Sequence, residues 1–196
     1  MRQLYYACDE KRPRIFDQGM PGFVMGALDP AEGYVSIVLL PPQAAQSLER
    51  TALDETQALR LLGAAYSANA YAFGQRYQNC NQWLVELMAH AWGALVPEGD
   101  ARDQAQHWLH EQRYQPSSFS LGWGPLAWLA GLLPWVHTDD HPAQNMVHAQ
   151  FEVSMPASID AFVQQVWPLA TRIELCYTPN HIVVRQGWEP IAPGCE

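Results

Sequence analysis

The chain has 196 residues, of which 48% are hydrophobic and 16% are charged. This composition excludes a disordered protein, and the length predicts a single domain over residues 1–196. With 20 acidic and 11 basic side chains the net charge is −9, which argues against nucleic acid or an anionic membrane surface as a partner.

Hydrophobic patterning along the chain predicts an α+β fold with an antiparallel sheet. Strands are predicted over residues 3–8, 34–40, 147–155, 171–177 and 181–186, of which the last two form a hairpin. Helices are predicted over residues 43–50, 55–66, 80–92, 101–111, 128–133 and 156–166. The most apolar stretch, residues 121–136, is shorter than the ~20 residues of a membrane span and contains internal prolines, so no transmembrane segment is expected.

The cysteines show no CxxC or other zinc-ligand spacing, so we expect no metal site and no cofactor. Their positions are Cys8, Cys80, Cys176 and Cys195. An even number permits disulfides without requiring them in a chain of this length. No apolar secretion signal opens the chain, because the charged residues 9–12 directly follow the first predicted strand.

Cys80 is predicted to lie on the first turn of a helix. Asn79 before it is a favourable N-cap residue, and Leu84 continues the apolar face to which Cys80 belongs. Unpaired backbone N–H groups and the helix dipole stabilise a thiolate there, and the thiolate is the reactive form. The side-chain amides of Asn79, Asn81 and Gln82 could donate to an oxyanion. This pattern is typical of a cysteine nucleophile, and the alternative is a buried cysteine acting as a small hydrophobic residue.

A nucleophilic thiol also needs a base, and the chain has 7 histidines. His148, within a predicted strand, is the best candidate base, with a purely structural role as the alternative. His107 and His110 lie three residues apart on a predicted helix. This spacing is compatible with a metal site, and the alternative is a solvated helix face. His141 falls in an Asp-Asp-His-Pro sequence, which favours a turn over a cation site or an orienting role.

The segment around Cys80, Tyr-Gln-Asn-Cys-Asn-Gln-Trp at residues 77–83, resembles the signature of the bacterial domain-of-unknown-function family 2145. In that family the position of Cys80 holds Ser or Cys. Softer matches extend the resemblance over nearly the whole chain. They are residues 4–8, residues 13–19, the strand ending at Pro41-Pro42, and residues 139–142.

The family is similar to circularly permuted papain-like proteins of the NlpC type. This resemblance implies a papain-like α+β fold in which a cysteine-bearing helix packs on an antiparallel sheet. It implies Cys80 as the nucleophile and Gln3 as the polar residue that orients the catalytic histidine. The histidine strand is expected just upstream of Gln3, so we expect the chain to lack the N-terminal portion of its domain. Alternatively, His148 supplies the base from another strand, or the chain is a non-catalytic relative.

These observations lead to two principal functions. The first is a cysteine hydrolase or acyltransferase that acts on an amide or ester bond of a small molecule, a peptide or an acyl group. The second is a catalytically inactive binding or structural module on the same scaffold. A metal-binding protein that uses His107 and His110 is a third class. Relatives often carry export signals, which implies a periplasmic location.

Overall fold

The computed structural model describes residues 1–21, 33–96, 98–120, 135–147, 150–192 and 194–195. The strands are β1 (Arg2–Ala7), β2 (Arg12–Asp17), β3 (Gly33–Leu39), β4 (Ser117–Ser120), β5 (Gln150–Val153), β6 (Thr171–Tyr177) and β7 (Ile182–Gln186). The helices are α1 (Pro42–Leu53), α2 (Glu55–Arg60), α3 (Cys80–Gly93), α4 (Ala101–Glu111), α5 (Ala143–Val147) and α6 (Pro156–Val166). The predicted α+β class with antiparallel strand pairing is confirmed.

The described strands form three small antiparallel sheets. β1 pairs with β2 as a hairpin, β4 pairs with β5, and β6 lies between β3 and β7 in the order β3-β6-β7. The β3–β6 register sets Gly33 opposite Tyr177 and Leu39 opposite Thr171. The largest sheet is therefore assembled from segments near the two ends of the chain.

Helix α3 lies at the centre of the molecule and packs against β1, α1, α4 and α6. Its Trp83, Val85 and Leu87 are almost fully buried, and they share one core cluster with Leu61 and Leu109. The helix can be buried on nearly all sides because its sequence is apolar around most of its circumference. The site at the beginning of α3 is thus attached to an element that is packed on most sides.

Local capping signals explain where the helices begin. Asp100 accepts hydrogen bonds from the backbone N–H groups of Arg102 and Asp103 at 2.9 and 3.1 Å, which starts α4 as predicted. A proline in the first turn starts both α1 and α6, where its fixed φ suits a helix and its missing N–H costs nothing.

The predicted helix over residues 55–66 is wrong in its second half. α2 ends at Arg60, and the backbone N–H of Gly63 donates instead to Oε1 of Gln78 at 2.8 Å. This long-range hydrogen bond takes the place of a helical one. The predicted strand over residues 147–155 is also too long, since α5 ends at Val147 and β5 covers only Gln150–Val153.

Two strands were not predicted, and two predictions lie outside the described residues. β2 and β4 were missed because β2 contains Pro13 and β4 is short and rich in serine. The predicted helix over residues 128–133 and the candidate base His148 fall outside the part of the chain that the structure describes. Of the described helices, none has the length and apolar character needed to cross a bilayer.

A disulfide joins Cys176 of β6 to Cys195, with their Cα atoms 5.5 Å apart. Together with Ile191 and Val183 these cysteines form a second, smaller apolar cluster. The backbone N–H of Ile191 also donates to Glu174 at 2.8 Å. The last residues are therefore held against the sheet, whereas Cys8 and Cys80 are free and exposed thiols.

Candidate functional site

Cys80 is the first residue of α3, as the sequence predicted. The side chain of Asn79 caps the helix by accepting a hydrogen bond from the backbone N–H of Gln82 at 2.7 Å. Asn79 is buried and extended, so it holds the backbone just before the thiol in one conformation. The exposed thiol is thus presented at a capped helix N-terminus.

The pKa of the Cys80 thiol is raised above its ordinary value. Desolvation by the surrounding protein is the largest cause, and hydrogen bonds from the backbone N–H groups of Asn81 and Cys80 itself offset it only in part. The helix terminus therefore acts in the direction that the sequence indicated, but desolvation by neighbouring protein atoms outweighs it even though the residue is exposed at the surface. At neutral pH this cysteine rests as a neutral thiol, not as the thiolate expected from its position.

A buried ion pair lies beneath the loop that leads to Cys80. Glu86 of α3 and Arg102 of α4 pair through Nε and Oε2 at 2.9 Å, and both side chains are almost completely buried. Gln78 and Gln106 donate further hydrogen bonds to the Glu86 carboxylate at 2.6 and 2.7 Å. The pKa of Glu86 is raised above its ordinary value, because burial outweighs the opposing effects of Arg102, Gln106 and Gln78. A carboxylate this deeply buried requires all of these partners.

The same network fixes the loop of residues 61–79. Arg102 donates to the backbone carbonyls of Gly74, Gln75 and Tyr77 at 2.8–3.2 Å. The amide of Gln82 lies against the carbonyls of Tyr71, Ala72 and Gly74 at 3.1–3.2 Å, and that of Asn79 donates to Ala68. These two amides, which the sequence offered as oxyanion donors, hold the loop in place. The N–H groups that act on the sulfur are backbone groups of the first helical turn.

Tyr66 is an aromatic neighbour of Cys80 that the sequence analysis missed. Burial, together with the charge of Cys80, raises its pKa to about 12. The ring stacks on that of Tyr6 in β1, with centroids 5.3 Å apart. Strand alternation places Gln3 on the opposite face of β1 from Tyr6 and Leu4. β1 is therefore linked to Tyr66 through Tyr6, and the orienting role of Gln3 stays a prediction.

Residues 135–141 dock on the loop before Cys80. The ring of His137 stacks on Tyr77 with centroids 4.4 Å apart, and Arg76 pairs with Asp139 at 2.7 Å. Asn69 connects the two segments, because its side chain donates to the carbonyl of His137 at 2.8 Å and also bonds Ser67. The Asp-Asp-His-Pro sequence thus lies close to the Cys80 signature in space.

His141 and Asp140 are buried within this docked segment. His141 lies 2.8 Å from the carbonyl of Asn69 through Nε2, and Asp140 accepts from the backbone N–H of Tyr71 at 2.9 Å. The imidazole also packs against the rings of Tyr71 and Phe151. The turn predicted for this sequence therefore serves as an anchor between two loops.

Among the described residues no group of three or more His, Cys, Asp or Glu side chains is arranged to hold a metal ion. His107 lies 3.3 Å from Glu111 on an exposed helix face, and His110 stacks on Phe73 with centroids 3.8 Å apart. The two histidines thus have separate local partners.

The residues that sequence reasoning missed leave a recognisable signal. Gln78 and Glu86 were missed, and together with Gln82, which was considered only as an oxyanion donor, they recur every four residues from just before α3 into its first half. A polar stripe at that spacing, within a buried helix, predicts an internal network rather than a solvated face. The partner Arg102 could not be assigned from the sequence, since nothing local links it to α3.

Comparison with known proteins gives one family. A protein-family model described as "Uncharacterized protein conserved in bacteria (DUF2145)" matches residues 1–163. No curated protein and no solved structure matches the chain. The match includes Cys80, the loop before it, Glu86, Arg102 and the docked residues 135–141. The chain therefore belongs to this bacterial family, DUF2145.

Proposed function

We propose that the protein is a cysteine hydrolase or acyltransferase that acts on an amide or ester bond, with Cys80 as its nucleophile. The observation that carries the proposal is an exposed thiol on the first turn of a capped, buried helix. The loop before it is fixed by a network that needs a buried ion pair, which is a costly arrangement for a loop without a role. A permuted papain-like arrangement of helix and sheet belongs to the same proposal.

The reaction follows from the state of the thiol. Because its pKa is raised, the proton leaves Sγ as the sulfur attacks the carbonyl carbon, and a base must accept it. The C–S bond forms, the bond to the amine or alcohol breaks, and the base returns the proton to that leaving group. Water or an acceptor alcohol or amine then cleaves the thioester. The backbone N–H groups of Cys80 and Asn81, which hydrogen-bond to the sulfur in the free protein, are proposed to stabilise the oxyanion. His148 is proposed as the base.

The test is acylation of the protein by a series of p-nitrophenyl esters, followed by intact mass and by release of nitrophenol. We expect one acyl group on Cys80, at a rate that saturates with ester concentration. Cys80→Ala should abolish it, Cys8→Ala should not, and His148→Ala should slow it by at least about 100-fold, as for loss of a general base. Labelling of Cys80 no faster than that of Cys8 would refute the proposal.

The raised pKa of Cys80 favours a second candidate, an inactive binding module. A neutral thiol without a base reacts slowly, and Ser occupies this position in some relatives. A Cys80→Ser variant then keeps the biological effect of the protein, whereas a hydrolase loses most of it. Complementation of a deletion strain by the Ser and Ala variants separates the two functions.

We further propose that the protein is exported to the periplasm. The Cys176–Cys195 disulfide supports this location, since disulfides persist in oxidising compartments and are rare in the bacterial cytosol. Fractionation of the native host, with alkylation before lysis, provides the test. Recovery of Cys176 as a free thiol in the cytosolic fraction would exclude export.

A further inference from the structure

A cavity of about 390 Å³ runs along β3. Its lining includes four consecutive residues of that strand, Val35, Ser36, Ile37 and Val38. Successive side chains of a strand point to opposite faces of the sheet. A cavity that touches four residues in a row therefore follows the edge of the strand, where its backbone is accessible.

β3 is an edge strand in the part of the chain that the structure describes. Its described hydrogen-bonded neighbour is β6, on one side. Every second residue of such a strand turns its N–H and C=O away from the sheet. These groups are strong hydrogen-bonding partners, and covering them with a purely hydrocarbon ligand would leave them unsatisfied at a cost of about 1–3 kcal/mol each.

The wall opposite β3 is apolar. The apolar lining residues outside β3 are Leu48 from α1, Leu84 and Met88 from α3, Ile159 and Val163 from α6, and also Met1, Met20 and Leu40.

The side-chain carboxylate in this lining, that of Asp160, is already paired with Arg172 at 3.0 Å, and the amine of Met1 donates to the carbonyl of Gln18. The groove thus offers a row of backbone groups on one side and aliphatic side chains on the other. An occupant that satisfies both is an extended polypeptide with aliphatic side chains.

We propose that this groove binds an extended, aliphatic segment of another polypeptide as an additional strand on β3. The 7 residues of β3 extend over about 23 Å at ~3.3 Å per residue, which accommodates a peptide of about five to seven residues. Backbone hydrogen bonds supply affinity, and the aliphatic wall selects every second side chain. The inference rests on the edge of β3 and holds whether or not Cys80 is reactive.

The test uses a capped heptapeptide of alternating valine and threonine with a lysine at each end. We expect this probe to protect the β3 amides from hydrogen exchange. Two isomers carry N-methyl groups on alternate residues, one set along each edge of the peptide. Methylation of the pairing edge should weaken binding by at least about tenfold, at roughly 1 kcal/mol for each lost hydrogen bond, while methylation of the other edge should leave binding unchanged.

Variants of α1 locate the groove. Leu48→Trp fills it and should lower the affinity for the peptide at least about tenfold, a loss of about 1.4 kcal/mol. Leu53→Trp, on the same helix but 66% exposed and away from the groove, is the matched control. Cys80→Ser should bind like the wild type.

Three outcomes would overturn the proposal. The first is no protection of β3 by the peptide. The second is equal binding of the two N-methylated isomers, which would show that only side chains are buried. The third is stronger protection of β3 by dodecanoate than by the peptide, which would identify the groove as an acyl-chain site. None of these measurements requires a variant to fold.

Discussion

Glu86 shows how much a single residue contributes to the position of the thiol. Its carboxylate lies in the core, and the Arg102 guanidinium that neutralises it also binds the carbonyls of the loop before Cys80. Loss of the carboxylate leaves a buried guanidinium without its counter-charge. Removing the Glu86 carboxylate should therefore destabilise the fold and also loosen the loop before Cys80, because both effects act through Arg102.

We predict that Glu86→Gln lowers the free energy of unfolding by about 3–5 kcal/mol, the usual cost of breaking a buried ion pair. Urea denaturation measures it. Glu49→Gln, at an exposed position of α1, should change stability by less than about 0.5 kcal/mol. A loss no larger than that of the control would mean that the network does not support the fold.

The rate of Cys80 alkylation should depend on pH in a way that reports the raised pKa of its thiol. A raised pKa reduces the thiolate fraction at any given pH, so the rate with iodoacetamide should reach half its maximum above the ordinary thiol pKa of about 8.5. A Cys8→Ser background leaves Cys80 as the free thiol, since Cys176 and Cys195 are joined. A midpoint near neutral pH would instead reveal a cationic partner close to the sulfur.

At the scale of elements, the two segments that meet before Cys80 depend on Asn69. Its side chain bonds Ser67 and His137, and its carbonyl lies 2.8 Å from His141. The segments are far apart in sequence, and these hydrogen bonds act together with the His137–Tyr77 stack and the Arg76–Asp139 ion pair to join them.

We predict that Asn69→Ala destabilises the protein by about 1–3 kcal/mol, because it leaves buried polar groups without partners. Amide hydrogen exchange should increase in residues 135–141 and in the loop before Cys80. Asn180→Ala in the exposed turn between β6 and β7 serves as the control. Unchanged exchange in residues 135–141 would show that Asn69 does not join the segments.

The elements also show which features a sequence can predict. α4 and α6 were predicted with correct bounds, because a capping aspartate and an N-terminal proline are local signals. The position of Cys80 at a helix start was equally local. The shortened α2 and the pairing of Glu86 with Arg102 depend on contacts between distant segments. Local patterns do not contain that information, so the support of the site was found only in the structure.

At the scale of the whole molecule, the disulfide closes the chain end onto the central strand of the largest sheet. Cys176 and Cys195 are separated by 19 residues, and the segment between them includes β7. A cross-link restricts the unfolded chain and so stabilises the folded one.

Reduction should therefore lower the free energy of unfolding by about 3 kcal/mol, as expected for a loop of this size. Denaturation curves with and without a reducing agent measure it, and Cys176→Ser should give the same loss without the agent. Cys8→Ser should leave the curve unchanged. A reducing agent that lowers stability equally in Cys176→Ser would show that the effect does not come from this bond.

The pairing of β3 with β6 has a consequence for synthesis on the ribosome. Leu39 ends β3, and its partner Thr171 begins β6, so about 130 residues must be added in between, which takes roughly 7–26 seconds at 5–20 residues per second. During that interval β3 has left the ribosome without its neighbour. The largest described sheet can form only after β6 has been translated, and a nascent chain held before that point is a natural client for chaperones.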